Sequence, residues 1–130
     1  MKPALLLSLC LFTPLTFAAP TAIPLSDVRI TAGPFLHAQQ TDMHYIMSMD
    51  PERLLAPYRK DAGIATTAEN YPNWEDTGLD GHIGGHYLSA LALMYAATGD
   101  KAVLDRLNYM VAEFRQVSAS PWQWLSWRCA

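Results

Sequence analysis

With 130 residues, twelve Asp and Glu against nine Lys and Arg, and a net charge of −3, the chain has no basic footprint for DNA or RNA. Its two cysteines, Cys10 and Cys129, lie near opposite ends, and Cys10 falls in a segment expected to be removed, so an internal disulfide is not expected in the mature chain. The residue types that remain point to an all-α fold with one polar, glycine-punctuated stretch.

Met1-Lys2 supplies one positive charge ahead of an apolar run from Ala4 to Phe17, which closes on Thr16-Phe17-Ala18-Ala19-Pro20. That order describes a secretory signal peptide over residues 1–18, cut after Ala18, and predicts a secreted or periplasmic protein that keeps no membrane attachment. A membrane anchor fits less well, because Pro14 interrupts the run and a spanning helix needs roughly 20 apolar residues. Residues 19–33 form a lead containing Pro20 and Pro24, with Leu25 to Thr31 read as a short strand or extended arm and Gly33-Pro34 as punctuation.

Between Phe35 and Ser48, Leu36, Met43, Ile46 and Met47 share one helical face. Asp50-Pro51-Glu52 is a helix start, with Asp at the cap and Pro at the first helical position. Pro57 and Gly63 predict that this helix is short, and Ala65 to Pro72 reads as loop.

The polar stretch follows. Asn73-Trp74-Glu75-Asp76-Thr77-Gly78-Leu79-Asp80-Gly81-His82-Ile83-Gly84-Gly85-His86 gathers a Trp, three carboxylates and two His around four glycines, then enters an apolar helix. Tyr87 to Ala97 is apolar or small throughout, which predicts a helix buried around most of its circumference. Its start near Asp80 to Gly84 offers unpaired backbone N–H groups and a positive dipole end that favours the ionised Asp80. Thr98-Gly99 ends the helix and Asp100 caps the next, on which Val103, Leu107, Met110, Val111 and Phe114 line one face. The pair is an αα-hairpin, the unit of an α/α barrel and equally the opening of a bundle.

Trp74-Glu75-Asp76-Thr77-Gly78 and the string from Leu79 to Asp100 resemble the N-terminal part of the β-L-arabinofuranosidase-like proteins, glycoside hydrolase family 127 and its relatives. Pro34-Phe35, Ala38-Gln39, Asp50-Pro51-Glu52-Arg53-Leu54-Leu55-Ala56 and Asp61-Ala62-Gly63 fit the same family in order and spacing, so the resemblance runs from Val28 to about Gln116. It implies an (α/α)6 barrel, of which residues 34–116 supply only the first part, and a carbohydrate substrate, an arabinofuranoside or related plant glycan. It also implies a cysteine nucleophile in a zinc site of cysteines and a glutamate, with a further glutamate as acid/base. No residue of this chain matches those groups, so none is assigned as catalytic or metal-binding, and the piece is expected to be inactive alone.

What the piece can supply is part of the sugar pocket: His82 and His86, four apart on one helix face, with Trp74 to stack on a sugar ring and Asp80 beside them. Packing or capping histidines are the plain alternative. A small metal module on Asp80, His82 and His86 is another, weakened by the lack of the intervening Glu found in zinc-protease helices. Glu75 and Asp76 invite a paired-carboxylate reading, although adjacent carboxylates are more often loop or cap groups.

Residues 117–130 break the pattern, with three of the four Trp of the chain at Trp122, Trp124 and Trp127. Codons for this tail, shifted by one base, can spell a Gly-Asn-Gly-Tyr sequence similar to what the family carries next, so loss of frame near Gln116 is expected. A helical interaction protein using the Trp-rich tail is the alternative.

Overall fold

A computed structural model describes residues 21–78 and 80–120, and the expected signal peptide and the three tail tryptophans lie outside them. Every regular element among the described residues is helical, as the apolar spacing predicts. Four α-helices follow in order: α1 (Gly33–Ser48), α2 (Pro51–Asp61), α3 (His82–Thr98) and α4 (Lys101–Ala119). None of the described helices is long and apolar enough to cross a membrane.

The caps follow the sequence. Asp50 accepts a hydrogen bond from the Glu52 N–H at 2.9 Å, and Pro51 occupies the first turn where its missing N–H costs nothing. Pro57 does not end α2, which continues to Asp61. Leu54, Leu55, Ala56 and Pro57 itself are all buried, and that burial offsets the lost backbone bond. Between α3 and α4, Gly99 takes the left-handed conformation (φ +71°) and donates to the Tyr95 carbonyl at 2.7 Å. Asp100 then accepts from Ala102 and Val103 at 2.8 and 3.1 Å. Helix α4 runs to Ala119, three residues past the Gln116 at which its apolar period stops.

The core lies where α3 and α4 pack against α2 and the end of α1. Ile46, Leu54, Leu55, Tyr87, Leu91, Met94, Val103 and Met110 form one buried cluster. Tyr87, Leu91 and Met94 recur at the 3–4 spacing of a single helix face. Helix α3 is therefore buried along one stripe rather than all round, and Leu93 on its other side is 60% exposed. The reason is that among the described residues only three α-helices and the 3₁₀ turn of the lead pack against α3, and they leave its Leu93 side uncovered. The lead forms a 3₁₀ turn (Leu25–Asp27) followed by extended chain, with no strand, and Arg29 pins it to α3 by donating to the Ala96 carbonyl at 3.1 Å.

Polar ties cross the core's edges. Arg106 of α4 donates to the Met49 carbonyl and the Tyr87 hydroxyl, both at 3.0 Å, and Tyr87 donates in turn to the Ile46 carbonyl at 3.1 Å. Arg59 of α2 pairs with Glu52 at 2.5 Å and with Glu113 of α4 at 2.7 Å. The loop between α2 and α3 is tied to α2: Arg53 donates to the Glu69 and Asn70 carbonyls and lies 4.2 Å from the Tyr71 ring centroid. These bonds set the position of the chain just before the polar stretch.

Candidate functional site

The polar stretch folds as a 3₁₀ turn (Asn73–Asp76), a bend, and the first turn of α3. Gly81 stands at the helix cap with φ +94°, a backbone conformation that L side chains rarely adopt, and having no side chain it cannot cap the helix itself. Glu75 does so from six residues upstream. Its Oε2 accepts from the Gly81 N–H at 2.7 Å and its Oε1 from the Ile83 N–H at 3.0 Å. Oε1 also lies 2.6 Å from His82 Nδ1. Glu75 is only 2% exposed, the one buried charged residue among those described, and it sits where helix N–H groups and the dipole favour a negative charge.

Tyr58 of α2 closes the floor. Its hydroxyl donates to the Gly81 carbonyl, and its ring meets Phe114 edge-on with centroids 4.7 Å apart. Burial first, and then the negative charge of Glu75, hold the Tyr58 phenol above its usual pKa, which keeps the hydroxyl a donor. Asn70 adds a bond from its side-chain amide to the Glu75 carbonyl at 2.9 Å.

On this floor three of the four residues read from the sequence come together. The Trp74 ring, 65% exposed, lies with its centroid 5.9 Å from that of His82 at an interplanar angle of 39°. The His82 and His86 rings are 6.2 Å apart and nearly perpendicular, at 87°. Trp74, His82 and His86 thus form a row of rings along the exposed start of α3. Asp80 is exposed and takes another role: its Oδ1 accepts from the Gly78 N–H at 3.2 Å, within its own bend.

Beside the row, a groove of about 370 Å³ opens between α1 and α3, lined by Asp42, Tyr45, Ile83 and His86. A second hollow of about 380 Å³ lies on the Tyr71 side of Tyr45. A larger groove, about 540 Å³, runs along α1 and α3 past Leu25, Ala38, Leu93 and Met94 and is mostly apolar. Asp42 and Tyr45 escaped the sequence reading, because only the packing of α1 across α3 brings them to His86.

The adjacent carboxylates do not act as a pair. Glu75 is turned in under the helix and committed to backbone N–H groups, while Asp76 is exposed. Nor do Asp80, His82 and His86 gather as metal ligands: among the described residues no three His, Cys, Asp or Glu side chains are placed to hold a metal ion. The described residues include no cysteine, so they do not fit the thiolate zinc site that the resemblance implies. The central position of Glu75 had only one signal in the sequence, a carboxylate shortly before a Gly-led helix start, and its spacing is not that of a capping box.

A family model described as β-L-arabinofuranosidase, GH127 catalytic domain, matches residues 27–120. No curated protein matches the chain.

Proposed function

From the premise that this chain belongs to the GH127 β-L-arabinofuranosidase catalytic-domain family, we propose that its folded part supplies one wall of a carbohydrate site. Trp74, His82 and His86 are the residues that face the sugar. The observation that carries this reading is their arrangement as one exposed row of rings: an indole face suits the apolar face of a sugar, and imidazoles suit its hydroxyls.

In this reading the substrate is an L-arabinofuranoside or a related plant glycan. The α3–α4 hairpin is one inner and outer pair of an (α/α)6 barrel, whose further helices would cover the exposed side of α3. Bond cleavage belongs to the cysteine, zinc and glutamate set implied by the family, with which no described residue of this chain corresponds. The chain alone accordingly binds and does not hydrolyse. Residues 1–18 would direct it to the periplasm or out of the cell, and a frame lost near Gln116 would account for the composition of the tail.

The test is a titration of the isotope-labelled chain with methyl β-L-arabinofuranoside, paired with an assay on an aryl arabinofuranoside. The expected result is shift changes confined to Trp74, His82, His86 and their neighbours, with no hydrolysis. Shift changes elsewhere only, or none at saturating sugar, overturn the site. Turnover by the chain itself overturns its division of labour.

A further inference from the structure

We propose that the lead, residues 24–31, is a strap that Arg29 latches onto the C-terminal end of α3, and that releasing this latch opens the apolar groove between α1 and α3. The strap sits at the end of α3 away from the ring row, so the proposal does not depend on the sugar-site reading.

A helix leaves its last carbonyls without partners inside the helix, and at the end of α3 two of them are taken from different directions. Tyr95 accepts from the Gly99 N–H at 2.7 Å, within the turn that leads to α4. Ala96 accepts from Arg29 Nη1 at 3.1 Å, a partner that comes from the far side of the chain. A guanidinium suits this place, because the C-terminal end of a helix carries the negative end of its dipole. The same Nη1 also donates to the Ser26 and Val28 carbonyls, both at 2.9 Å. One side chain thus gathers the backbone of the strap and ties it to the helix.

What the strap covers is apolar. Leu25 stands in the 3₁₀ turn that packs against α3, and it lines the groove of about 540 Å³ together with Ala38, Ile46 and Met94. Arg29 and Ile30 line a smaller hollow of about 220 Å³ with Leu36, Met43 and Ala97. The strap therefore forms a wall for both hollows between α1 and α3. Its other holds are slight. Residues 21–32 are all exposed, and the Asp27 and Val28 N–H groups bond only locally, to the Pro24 and Leu25 carbonyls at 2.9 and 3.3 Å. The strap joins α1 through Gly33, at φ +80°, where nothing lies within 4 Å of a built Cβ, so the junction has room to turn. A segment with little buried surface and one polar anchor opens at far lower cost than the core behind it.

Proteolysis reads that opening, since cleavage of a transiently released segment follows its open population. The full chain, Arg29→Ala and Arg29→Lys are treated with thermolysin, which cuts before large apolar residues, and rates at Val28 and Ile30 are normalised to those of the same chains in denaturant. Losing a hydrogen bond of this kind raises the open fraction about fivefold, so cleavage should be about fivefold faster in Arg29→Ala. Arg29→Lys, which keeps a cation at the helix end, should lie between. Helix content and the unfolding midpoint should stay as in the wild type, while binding of the apolar dye anilinonaphthalene sulfonate rises with the cleavage rate.

A wild-type strap cut as fast in the folded chain as in denaturant overturns the proposal, because no strap is then closed. Unchanged cleavage in Arg29→Ala removes the latch. Faster cleavage with unchanged dye binding shows that the strap covers no groove, and loss of helix content shows that Arg29 holds the core and not a separable strap. Each of these results overturns the proposal as well.

Discussion

Gly84 and Tyr58 leave no room for each other to change. A Cβ built on Gly84 would stand 2.8 Å from Tyr58 Cε2 and 2.9 Å from its hydroxyl oxygen. The ring cannot swing aside freely, because its hydroxyl is bonded to the Gly81 carbonyl and it packs nearly perpendicular to the Phe114 ring. Gly84→Ala gains helix propensity worth up to about 1 kcal/mol and introduces an overlap that costs about 1–3 kcal/mol, so a net loss of stability is expected. Gly85→Ala is the control, since nothing lies within 4 Å of its built Cβ. It should be neutral or stabilising by up to about 1 kcal/mol. Denaturant melts of the two variants check this, and equal effects would count against the packing of Tyr58 on α3.

The cap of α4 should be measurable on its own. Asp100 accepts from the Ala102 and Val103 N–H groups, at 2.8 and 3.1 Å, while the Thr98 hydroxyl accepts from the N–H of Asp100 itself at 3.2 Å. Asp100→Ala is expected to cost about 1 kcal/mol and Asp100→Asn much less, because the amide oxygen can still accept. Thermal or denaturant unfolding followed by circular dichroism reads both.

Acid should loosen the contact between α2 and α4. Hydrogen bonds from Arg59 first and from Tyr109 second hold the Glu52 carboxyl below its ordinary value of 4.5. A depressed folded value means that the pair's contribution is fully present above about pH 4.5 and is lost as pH falls through the lower, folded value. Glu52 is partly exposed, so the effect is screened and small. Stability measured from pH 6 down to pH 3 should fall less steeply in Glu52→Gln than in the wild type. Parallel curves would remove Glu52 from the acid response.

The uncovered side of α3 predicts association. Leu93 is 60% exposed and Leu25 43% exposed, and both line the apolar groove of about 540 Å³ against α1. Contiguous apolar surface of this kind seeks cover. Sedimentation velocity should show self-association of the chain at micromolar concentrations and a shift towards monomer in Leu93→Glu. A wild type that stays monomeric throughout would show that this face needs no partner.

Much of this architecture can be read along the chain. Asp50-Pro51-Glu52 and Gly99-Asp100 carry their own start and stop chemistry, so those boundaries follow from local backbone physics. Pro57 and Gly63 mark α2 as short, and it spans 11 residues; that it passes through Pro57 depends on the burial of Leu54 to Pro57, a long-range effect that outweighs the missing bond. The His82 and His86 pair is legible for the same local reason that any i, i+4 pair is: the helix repeat puts them on one face.

What the order of residues determined by itself is the all-helical class, the two capped helix starts and the nomination of Trp74, His82 and His86 as neighbours. Only the tertiary structure decided that Glu75 is the organising carboxylate, that Asp80 stays within its own bend, and that Asp42 and Tyr45 reach His86 across a groove. The division has one physical cause. Caps and helix faces depend on residues a few positions apart, whereas a buried carboxylate or a groove between helices depends on how whole elements dock, which no local spacing encodes.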